Sequence, residues 1–510
     1  MASLWGNKSK SAIKPVPAKI RIQREPVAKK PEPLPSKLAS TLRHQQSPRS
    51  RDSSARASPS ISRAKSCTAT PPSEDYDSSS RLQPPKRKAV RQKSPSNKPI
   101  QWDDSDDDET TSGEETVNKR HKSSKRAVDL NRRLRSEKGF SEDDDGVFSM
   151  IHAADIAVSG KGSRTVAEDI IVELKYPSAS SQRERYDLHF GKDKIDSTQE
   201  ILDVAKIVTD VYLTKEQAEP FLDPNQGFIR QLEKAKNLLS KDTLNKELLN
   251  GFKIAVDRYN SQIETLRKDG ALARNLDDRH HLPFDMVRLI LRQVYDRAVS
   301  PKVDILRRYQ NGSDNVYGEL LPSLISSVLA ETGLQSNQTF VDLGSGVGSV
   351  VLQAALEFGS ESWGCEMMEN ACKLADAQHK EFSARCRLWG IETGEVHLER
   401  GDFLENEKIK GIMKRADVIL VNNQAFTSDL NQKLIDLFLD LKDGCKIISL
   451  KSFVPHGHQI TPRNISNPVN VLDVKAGRYY AKSVSWTDAG GSYFIATKDA
   501  TRLRKFSERR

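Results

Sequence analysis

The sequence of 510 residues has few cysteines, few aromatic residues (6%) and no long apolar run. Its five cysteines include no C-x-x-C pair, which argues against a disulfide framework and against a zinc site. No stretch reaches the roughly 18 apolar residues that a membrane span needs, and the N-terminus lacks the apolar core of a secretion signal. These absences predict a soluble protein of a reducing, intracellular compartment, with no metal site and no membrane contact.

Residues 1–145 have the composition of a disordered tail. Fourteen of the 23 prolines lie in the first 100 residues, where 22 Lys and Arg stand against 6 Asp and Glu, a net charge of 22 − 6 = +16. Such a segment buries too little apolar surface to offset the entropy that is lost on ordering. The net charge of the whole chain is +10, which indicates a partner such as nucleic acid, chromatin or another anionic surface.

Two short basic runs of this tail, Pro84–Lys93 and Lys119–Arg126, are candidate nuclear-import signals, and the segments Lys86–Lys93 and Lys119–Arg135 are candidate DNA contacts. Lys and Arg side chains neutralise DNA phosphates without reading the base sequence. Similar runs also occur as ordinary solvated tails. The candidate DNA-contacting residues are Lys86, Arg87, Lys88, Lys119 and Arg120.

Residues 146–310 predict a mostly helical part, in which apolar residues recur at helical spacing from Thr198 to Tyr309. From 311 to 500, strands alternate with helices, which predicts an α/β fold with a doubly wound parallel sheet. Two later segments, Lys482–Trp486 and Ser492–Lys498, predict an antiparallel hairpin, and residues 501–510 form a basic tail. The predicted strands are Thr339–Leu343, Ser362–Glu366, Val396–Glu399, Val418–Asn422 and Cys445–Leu450, and the predicted helices are Val347–Glu357, Asn370–Cys386 and Ser428–Leu439.

The segment "FVDLGSGVG" (Phe340–Gly348) joins the first of these strands to a helix through three glycines. Such a turn lets the backbone approach a ligand at the helix N-terminus. Asp342 precedes the first glycine by two residues. Its carboxylate would repel a pyrophosphate and would suit the cationic amino-acid end of S-adenosyl-L-methionine.

Further acids follow the next two strands. Glu366 ends the second strand, where a carboxylate can accept hydrogen bonds from both ribose hydroxyls. Asp402 and Phe403 follow the third strand, where they can hold an adenine amino group and pack on its ring. These features in this order favour S-adenosylmethionine, and a plain tight turn or a nicotinamide site remains the alternative.

Longer stretches resemble the non-SET histone lysine methyltransferases named for disruption of telomeric silencing, and the basic tail looks like that of the fungal members. The resemblance implies the class I S-adenosylmethionine-dependent methyltransferase fold, a Rossmann-like sheet with antiparallel C-terminal strands. The matching segments keep the family's order between residues 280 and 500. They include "VYGELLP" (Val316–Pro322), "GCEM" (Gly364–Met367), "LERGDFL" (Leu398–Leu404), "VILVNNQAF" (Val418–Phe426) and "SVSWT" (Ser483–Thr487).

The resemblance implies methyl transfer, up to trimethyl, to the lysine on the disc face of the histone H3 core in nucleosomes. It implies a nuclear monomer with roles in telomeric silencing, chromatin regulation and the DNA damage checkpoint. The implied partners are histone H3, histone H4, ubiquitinated histone H2B at the C-terminal end, and the nucleosome acidic patch, which the family meets at the position of Arg463. The implied cofactor residues are Tyr317, Gly318, Glu319, Leu320, Phe340, Val341, Asp342, Leu343, Gly344, Ser345, Gly346, Val347, Gly348, Ser349, Glu366, Asp402 and Phe403, and the implied lysine-channel residues are Asn423, Phe426 and Tyr493.

The lysine nucleophile must be neutral, and a narrow aromatic channel would lower its pKa by desolvation. One departure from the family is Gln424, which stands where an aromatic residue is usual and would widen or wet that channel. From the residues alone, Phe426 and Tyr493 also fit a role as core aromatics. Two rival functions stay open: a methyltransferase of DNA, RNA or another protein, and a non-catalytic chromatin-binding scaffold that uses the basic tail.

Overall fold

The structure, a computed structural model, describes residues 128–141, 148–156, 170–188, 195–243, 245–307 and 318–508. Within these ranges, no helix combines the length and the apolar character that crossing a membrane requires. Several sequence predictions lie outside the described residues. They are the disordered state and import signals of residues 1–127, the DNA candidates Lys86, Arg87, Lys88, Lys119 and Arg120, and the cofactor candidate Tyr317.

The N-terminal part is mostly helical, as predicted. Strands β1 (Ile171–Leu174) and β2 (Glu184–Asp187) form an antiparallel pair ahead of the helices. The side chain of Asp196 accepts a hydrogen bond from the backbone of Gln199 and so caps the first helix. The helices are α1 (Ser197–Tyr212), α2 (Lys215–Leu222), α3 (Phe228–Leu239), α4 (Lys246–Lys268), α5 (Ala271–Asp277) and α6 (Phe284–Ala298), followed by a 3-10 helix at Ser300–Arg307.

The C-terminal part is built on a seven-stranded sheet in the order β5-β4-β3-β6-β7-β9-β8. The first five strands are parallel, and β9 runs antiparallel to both β7 and β8. The strands are β3 (Thr339–Leu343), β4 (Glu361–Glu366), β5 (Val396–Arg400), β6 (Val418–Val421), β7 (Lys446–Ser449), β8 (Leu472–Tyr479) and β9 (Gly491–Lys498), and the helices are α7 (Pro322–Thr332), α8 (Ser349–Phe358), α9 (Glu369–Trp389), α10 (Glu407–Met413), α11 (Ser428–Phe438) and α12 (Thr501–Glu508).

This arrangement confirms the doubly wound sheet with antiparallel C-terminal strands, the class I methyltransferase fold. The bounds of the five predicted parallel strands differ from the observed ones by at most one residue. The predicted hairpin is wrong in its first strand, because β9 pairs with β8 rather than with Lys482–Trp486. Within that segment, Val484 forms only single bridges, to Leu320 and to Thr487. Strand β8 escaped prediction because it lies at the sheet edge, where most of its side chains are exposed or half-buried and leave no apolar pattern.

The two parts share one hydrophobic core. Helix α6 packs on α8 and α9, and the same buried cluster contains Ile201 and Val204 of α1 together with Leu352 of α8 and Trp389 of α9. The helical part therefore lies directly behind the helix that follows the glycine turn.

Residues 128–141 also belong to this folded region. Arg132 is 3% exposed, and its guanidinium donates to the carbonyls of Leu356 and Glu357 at the end of α8. Arg135 pairs with Asp277 of α5 at 2.7 Å. Arg132 and Arg135, at the end of the basic segment, therefore already have protein partners. Together they join α8 to the helical part.

Candidate active site

A cavity of about 440 Å³ opens at the carboxyl ends of β3, β4, β5 and β6. This edge is where doubly wound sheets bind their ligands. Four carboxylates lie in its wall, those of Glu319, Asp342, Glu366 and Asp402, and no Lys or Arg is among the described residues that line it. The wall is therefore anionic and suits a ligand that carries positive charge.

The glycine turn forms one side of the cavity. Gly344, Gly346 and Gly348 have φ values of +86°, +56° and +86°, the left-handed region that residues with a Cβ rarely adopt. The backbone N–H groups of Gly344 and Ser345 donate to the carbonyl of Cys365 at 2.9 and 3.0 Å, which ties the turn to β4. The three glycines are thus required by the shape of the turn.

Glu366 is held in place by two backbone groups. Its Oε2 accepts from the N–H of Gly346 at 2.9 Å, and its Oε1 accepts from the N–H of Met368 at 2.7 Å. Both bonds fix the carboxylate at the cavity wall, so its orientation is set before a ligand arrives.

Asp342 is 3% exposed and has no cationic neighbour among the described lining residues. Burial, together with the negative charge of Glu366, raises the pKa of Asp342 to about 8. A cation placed in the cavity would lower this pKa and stabilise the carboxylate. Asp342 is therefore matched to a positively charged group of a ligand.

Asp402 and Phe403 form the next section of the wall, after β5. The Oδ1 atom of Asp402 accepts from the N–H of Leu404 at 2.8 Å. The ring of Phe403 lies nearly parallel to that of Phe426, with centroids 6.4 Å apart. An apolar ring beside a carboxylate is a suitable surface for a heteroaromatic base that carries an amino group.

Two segments far apart in the sequence meet at Gly318 and Glu319, which line the cavity. The N–H of Glu319 donates to Oγ of Ser485 at 2.9 Å, and the N–H of Ser485 donates to the carbonyl of Glu319 at 2.9 Å. A Cβ on Gly318 would lie 2.7 Å from the ring of Trp486, so only glycine fits this contact. Gly318 and Glu319 therefore form one structural unit with Ser485 and Trp486 of the "SVSWT" segment.

Most residues that the sequence predicts for the cofactor line the cavity. Phe340 and Val341 do not, because both are fully buried in the core on either side of β3. Gly348 caps α8 and is not in the lining. The predicted residues in the lining are Gly318, Glu319, Leu320, Asp342, Leu343, Gly344, Ser345, Gly346, Val347, Ser349, Glu366, Asp402 and Phe403.

Asn423 has a different place from the one expected for a lysine-channel residue. It is 1% exposed and outside the cavity lining, and its side chain holds the chain after β7. Its Oδ1 accepts from the N–H groups of Leu450 and Lys451 at 3.0 and 2.8 Å, and its Nδ2 donates to Oδ1 of Asn431 at 2.9 Å and to the carbonyl of Lys451 at 3.0 Å. These four bonds occupy both donors and both lone pairs of the Asn423 side-chain amide, so none is left for a substrate.

The preceding residue, Asn422, faces the cavity instead. Its Nδ2 donates to the carbonyl of Gly318 at 3.2 Å, and its buried Oδ1 has no hydrogen-bond partner within the described part of the chain. Neighbouring side chains at the end of a strand point to opposite sides, so the two asparagines cannot share one role.

The two predicted channel aromatics are not brought together. Phe426 lines the cavity, whereas Tyr493 is outside the lining, lies against Gly477 of β8 and donates from its hydroxyl to Glu331 of α7 at 2.5 Å. Gln424 is exposed on the turn after β6 and is also outside the lining.

Several residues of the cavity lining were not predicted from the sequence. Tyr295 of α6, which was not predicted either, does not line the cavity but contacts its wall: its hydroxyl donates to Oε1 of Glu319 at 2.9 Å. A sequence clue exists for Met367 and Met368, which directly follow the acid at the end of β4. The additional lining residues include Leu306, Met367, Met368, Asn370, Asn422, Thr427 and Leu430.

The remaining predicted contacts lie at the surface. Arg463 is exposed in the loop between β7 and β8. The C-terminal residues form α12 rather than an irregular tail, and Leu503 packs against the core cluster of the sheet. Arg502 pairs with Asp473 of β8 at 2.6 Å, which fixes one end of this helix.

Comparisons with known proteins agree with this geometry. The family model described as "Histone methylation protein DOT1" matches residues 295–498. A histone-lysine N-methyltransferase, H3 lysine-79 specific, from Emericella nidulans is 50% identical over 388 residues, which are 74% of this chain and 76% of that protein. A protein of the same description from Gibberella zeae is 50% identical over 426 residues, 81% of this chain and 84% of that protein. An RNA methyltransferase structure from Salinibacter ruber, in complex with S-adenosyl-L-homocysteine, is 19% identical, with 36% of this chain and 94% of that chain covered and a TM-score of 0.24.

Proposed function

This chain belongs to the DOT1 family of histone methylation proteins, and we propose that it transfers methyl groups from S-adenosyl-L-methionine to the lysine-79 side chain of histone H3. The observation that carries the proposal is the anionic cavity at the strand ends, with four carboxylates and no described basic residue in its wall. Nicotinamide dinucleotides and ATP carry phosphates, which such a wall repels. A cofactor with an ammonium and a sulfonium group is favoured.

The residues of the wall fit the parts of this cofactor. Asp342 faces the ammonium group, because a buried acid without a cationic partner is stabilised by one from the ligand. Glu366, fixed by Gly346 and Met368, accepts hydrogen bonds from the ribose hydroxyls. Asp402 accepts from the adenine amino group while Phe403 packs on the base.

When bound, S-adenosylmethionine would supply a methyl group that an uncharged amine can accept, with S-adenosylhomocysteine as the leaving group. Lysine has an ordinary pKa near 10.4 and is protonated at neutral pH, so the protein must lower that value. Leu420, Phe426 and Leu430 line the cavity beside Asn422 and would desolvate an incoming ammonium. We assign to Asn422, rather than to Asn423, the hydrogen bond that aims the amine, because the Oδ1 of Asn422 is buried and without a partner in the described region.

We extend the proposal to the nucleosome as the physical substrate, with up to three methyl groups added, and to a nuclear location with roles in silencing and the damage checkpoint. The net charge of +16 in the first 100 residues supports DNA contact by the tail. The exposure of Arg463 supports contact with the acidic patch, and the exposed cationic face of α12 supports contact with histone-linked ubiquitin.

The test is methylation of reconstituted nucleosomes with labelled S-adenosylmethionine, followed by mapping of the label by mass spectrometry. Free histone H3, free DNA and the Asp342→Asn variant are run in parallel. Label confined to lysine-79 of nucleosomal H3 and absent with the variant supports the proposal. Label on DNA or on other proteins would keep the cofactor and overturn the substrate, and cofactor binding without any label would favour the scaffold function.

A further inference from the structure

The helical part reaches the cofactor cavity at Leu306, which lines it, and at Tyr295, whose hydroxyl contacts a residue of its wall. We propose that Tyr295 is a positioning residue that sets the affinity for the cofactor by holding the carboxylate of Glu319 in the cavity wall. The inference rests on the proposed cofactor, and it goes further by giving the helical part a role in cofactor binding.

The contact itself is direct and enclosed. The hydroxyl of Tyr295 donates to Oε1 of Glu319 at 2.9 Å, and the tyrosine is 3% exposed. The backbone of Glu319 is fixed separately, by its two hydrogen bonds with Ser485. The hydroxyl therefore acts on the carboxylate, whereas Ser485 acts on the main chain.

Packing alone does not fix this carboxylate. A second, small cavity of about 20 Å³ lies behind it and is lined by Tyr295, Glu319, Ser349 and Gln378, among others. Glu319 and Ser349 thus line both cavities. Because the second cavity leaves a gap beside Glu319, the hydrogen bond from Tyr295 contributes to the orientation of its carboxylate.

Helix α6 presents Tyr295 from a rigid base. Gln293 and Arg297, two residues to either side, project from the opposite face of the helix. Arg297 pairs with Glu200 at 2.6 Å and with Glu184 at 3.1 Å, and Gln293 accepts from Nε1 of Trp389 at 3.1 Å. These buried contacts hold the position and rotation of α6, so the hydroxyl of Tyr295 is held at a defined place in the wall.

The hydrogen bond from Tyr295 to Glu319 does not depend on pH in the physiological range. Burial, together with the nearby Glu319 carboxylate, raises the pKa of Tyr295 well above its ordinary value, so the phenol stays a hydrogen-bond donor at every physiological pH. A carboxylate that accepts this bond keeps its negative charge directed at the cavity, where the cofactor brings a positive charge.

The experiment compares Tyr295→Phe with the matched control Tyr212→Phe. Tyr212 is also fully buried and loses one hydrogen bond, from its hydroxyl to the carbonyl of Trp389 at 2.6 Å, but it lies away from the cavity. We expect Tyr295→Phe to raise KM for S-adenosylmethionine about 5- to 10-fold with kcat within about 2-fold of the parent, since binding and not the chemical step is affected. Tyr212→Phe should leave KM unchanged.

Two further measurements make the result specific. In a double-mutant cycle, Glu319→Gln should remove most of the effect of Tyr295→Phe if the hydroxyl acts through the carboxylate. Calorimetric titration with S-adenosylhomocysteine measures binding without methyl transfer, so it tests Tyr295 even if no histone is methylated. Equal affinity of Tyr295→Phe and the parent protein, additive effects in the cycle, or the same loss in Tyr212→Phe would each overturn the inference.

Discussion

Two groups of acidic side chains in the described part of the chain have opposite electrostatic surroundings. In the helical part and α9, buried acids pair with buried arginines in a network of five charged residues, each at most 2% exposed: Glu184, Glu200, Glu381, Arg297 and Arg385. In the cofactor cavity, four carboxylates line the wall and none of the described lining residues is basic.

The two environments change acid strength in opposite directions. Although burial opposes it, the charge of Arg297 holds the pKa of Glu200 below its usual range. Burial and Glu366 raise the pKa of Asp342 to about 8. Arginines of the protein compensate the buried acids of the network, whereas no described residue of the cavity wall supplies a cation for Asp342.

The largest effect is expected from Gly346→Arg, which removes the cavity's ability to hold its ligand. Gly346 has a φ of +56° and lies in the cavity lining, so a long side chain there strains the turn and occupies the space. We expect no detectable S-adenosylhomocysteine binding by calorimetry and no methylation, with DNA binding retained. Gly333→Arg is the control, because Gly333 also has a positive φ (+73°) but no atom within 4 Å of a built Cβ. Methylation that survives Gly346→Arg would contradict the cofactor assignment.

Arg297→Met should have the largest effect on the paired network. It leaves Glu184 and Glu200 buried with one cation fewer, a change that costs about 3–5 kcal/mol of unfolding free energy in comparable cases. Urea denaturation monitored by tryptophan fluorescence measures the loss. An exposed pair gives the comparison: Lys433→Met, which breaks the contact with Asp429 on α11, should change the stability little. Similar losses for both variants would show that the buried network has no special weight.

Asp342→Asn should have opposite effects on binding and on stability. The variant loses the charge that faces the ligand, so we expect an affinity for S-adenosylhomocysteine about 100-fold weaker, as for the loss of a charge-assisted hydrogen bond. The free protein should melt at a higher temperature at pH 8, because a buried acid without a cation no longer has to ionise. A lower melting temperature would contradict the account of an uncompensated charge.

The same carboxyl group predicts a pH dependence. The pKa of Asp342 in the free protein, about 8, lies above its ordinary value of 3.8, so the folded state binds more protons than the unfolded state between these values. The unfolding free energy of the free protein therefore falls as pH rises through this window, whereas ligand affinity rises up to about pH 8. Calorimetry in two buffers of different ionisation enthalpy should detect proton release on binding at pH 7, and Asp342→Asn should abolish it.

The smallest effect concerns the basic N-terminal segment, residues 1–127. Deletion of residues 1–127 should weaken nucleosome binding about 10-fold and flatten its salt dependence while leaving cofactor affinity unchanged. Deletion of residues 1–141 should in addition lower the melting temperature, because Arg132 and Leu134 are buried against the folded part. Equal melting temperatures for the two deletions would show that residues 128–141 do not stabilise the fold.

Local sequence patterns determined much of this protein. The glycine turn, Asp342, Glu366, Asp402 and Phe403 could be assigned because the carboxyl ends of neighbouring parallel strands meet at one edge of the sheet. Strands β3, β6 and β7 were predicted to within a residue because each contains a short buried apolar run, whereas β5 has no buried residue.

Other features depend on contacts between residues that are distant in sequence, and no local pattern specifies these. Which of Asn422 and Asn423 faces the cavity depends on how the chain leaves β6, and the chain after β7 uses the amide of Asn423. The partner of β9 is an edge strand without an apolar pattern. The contact of Tyr295 with Glu319 exists only because α6 packs behind α8. Composition and short motifs therefore determine the fold and the position of the cavity, while the orientation of the side chains in its wall follows from packing between elements far apart in the chain.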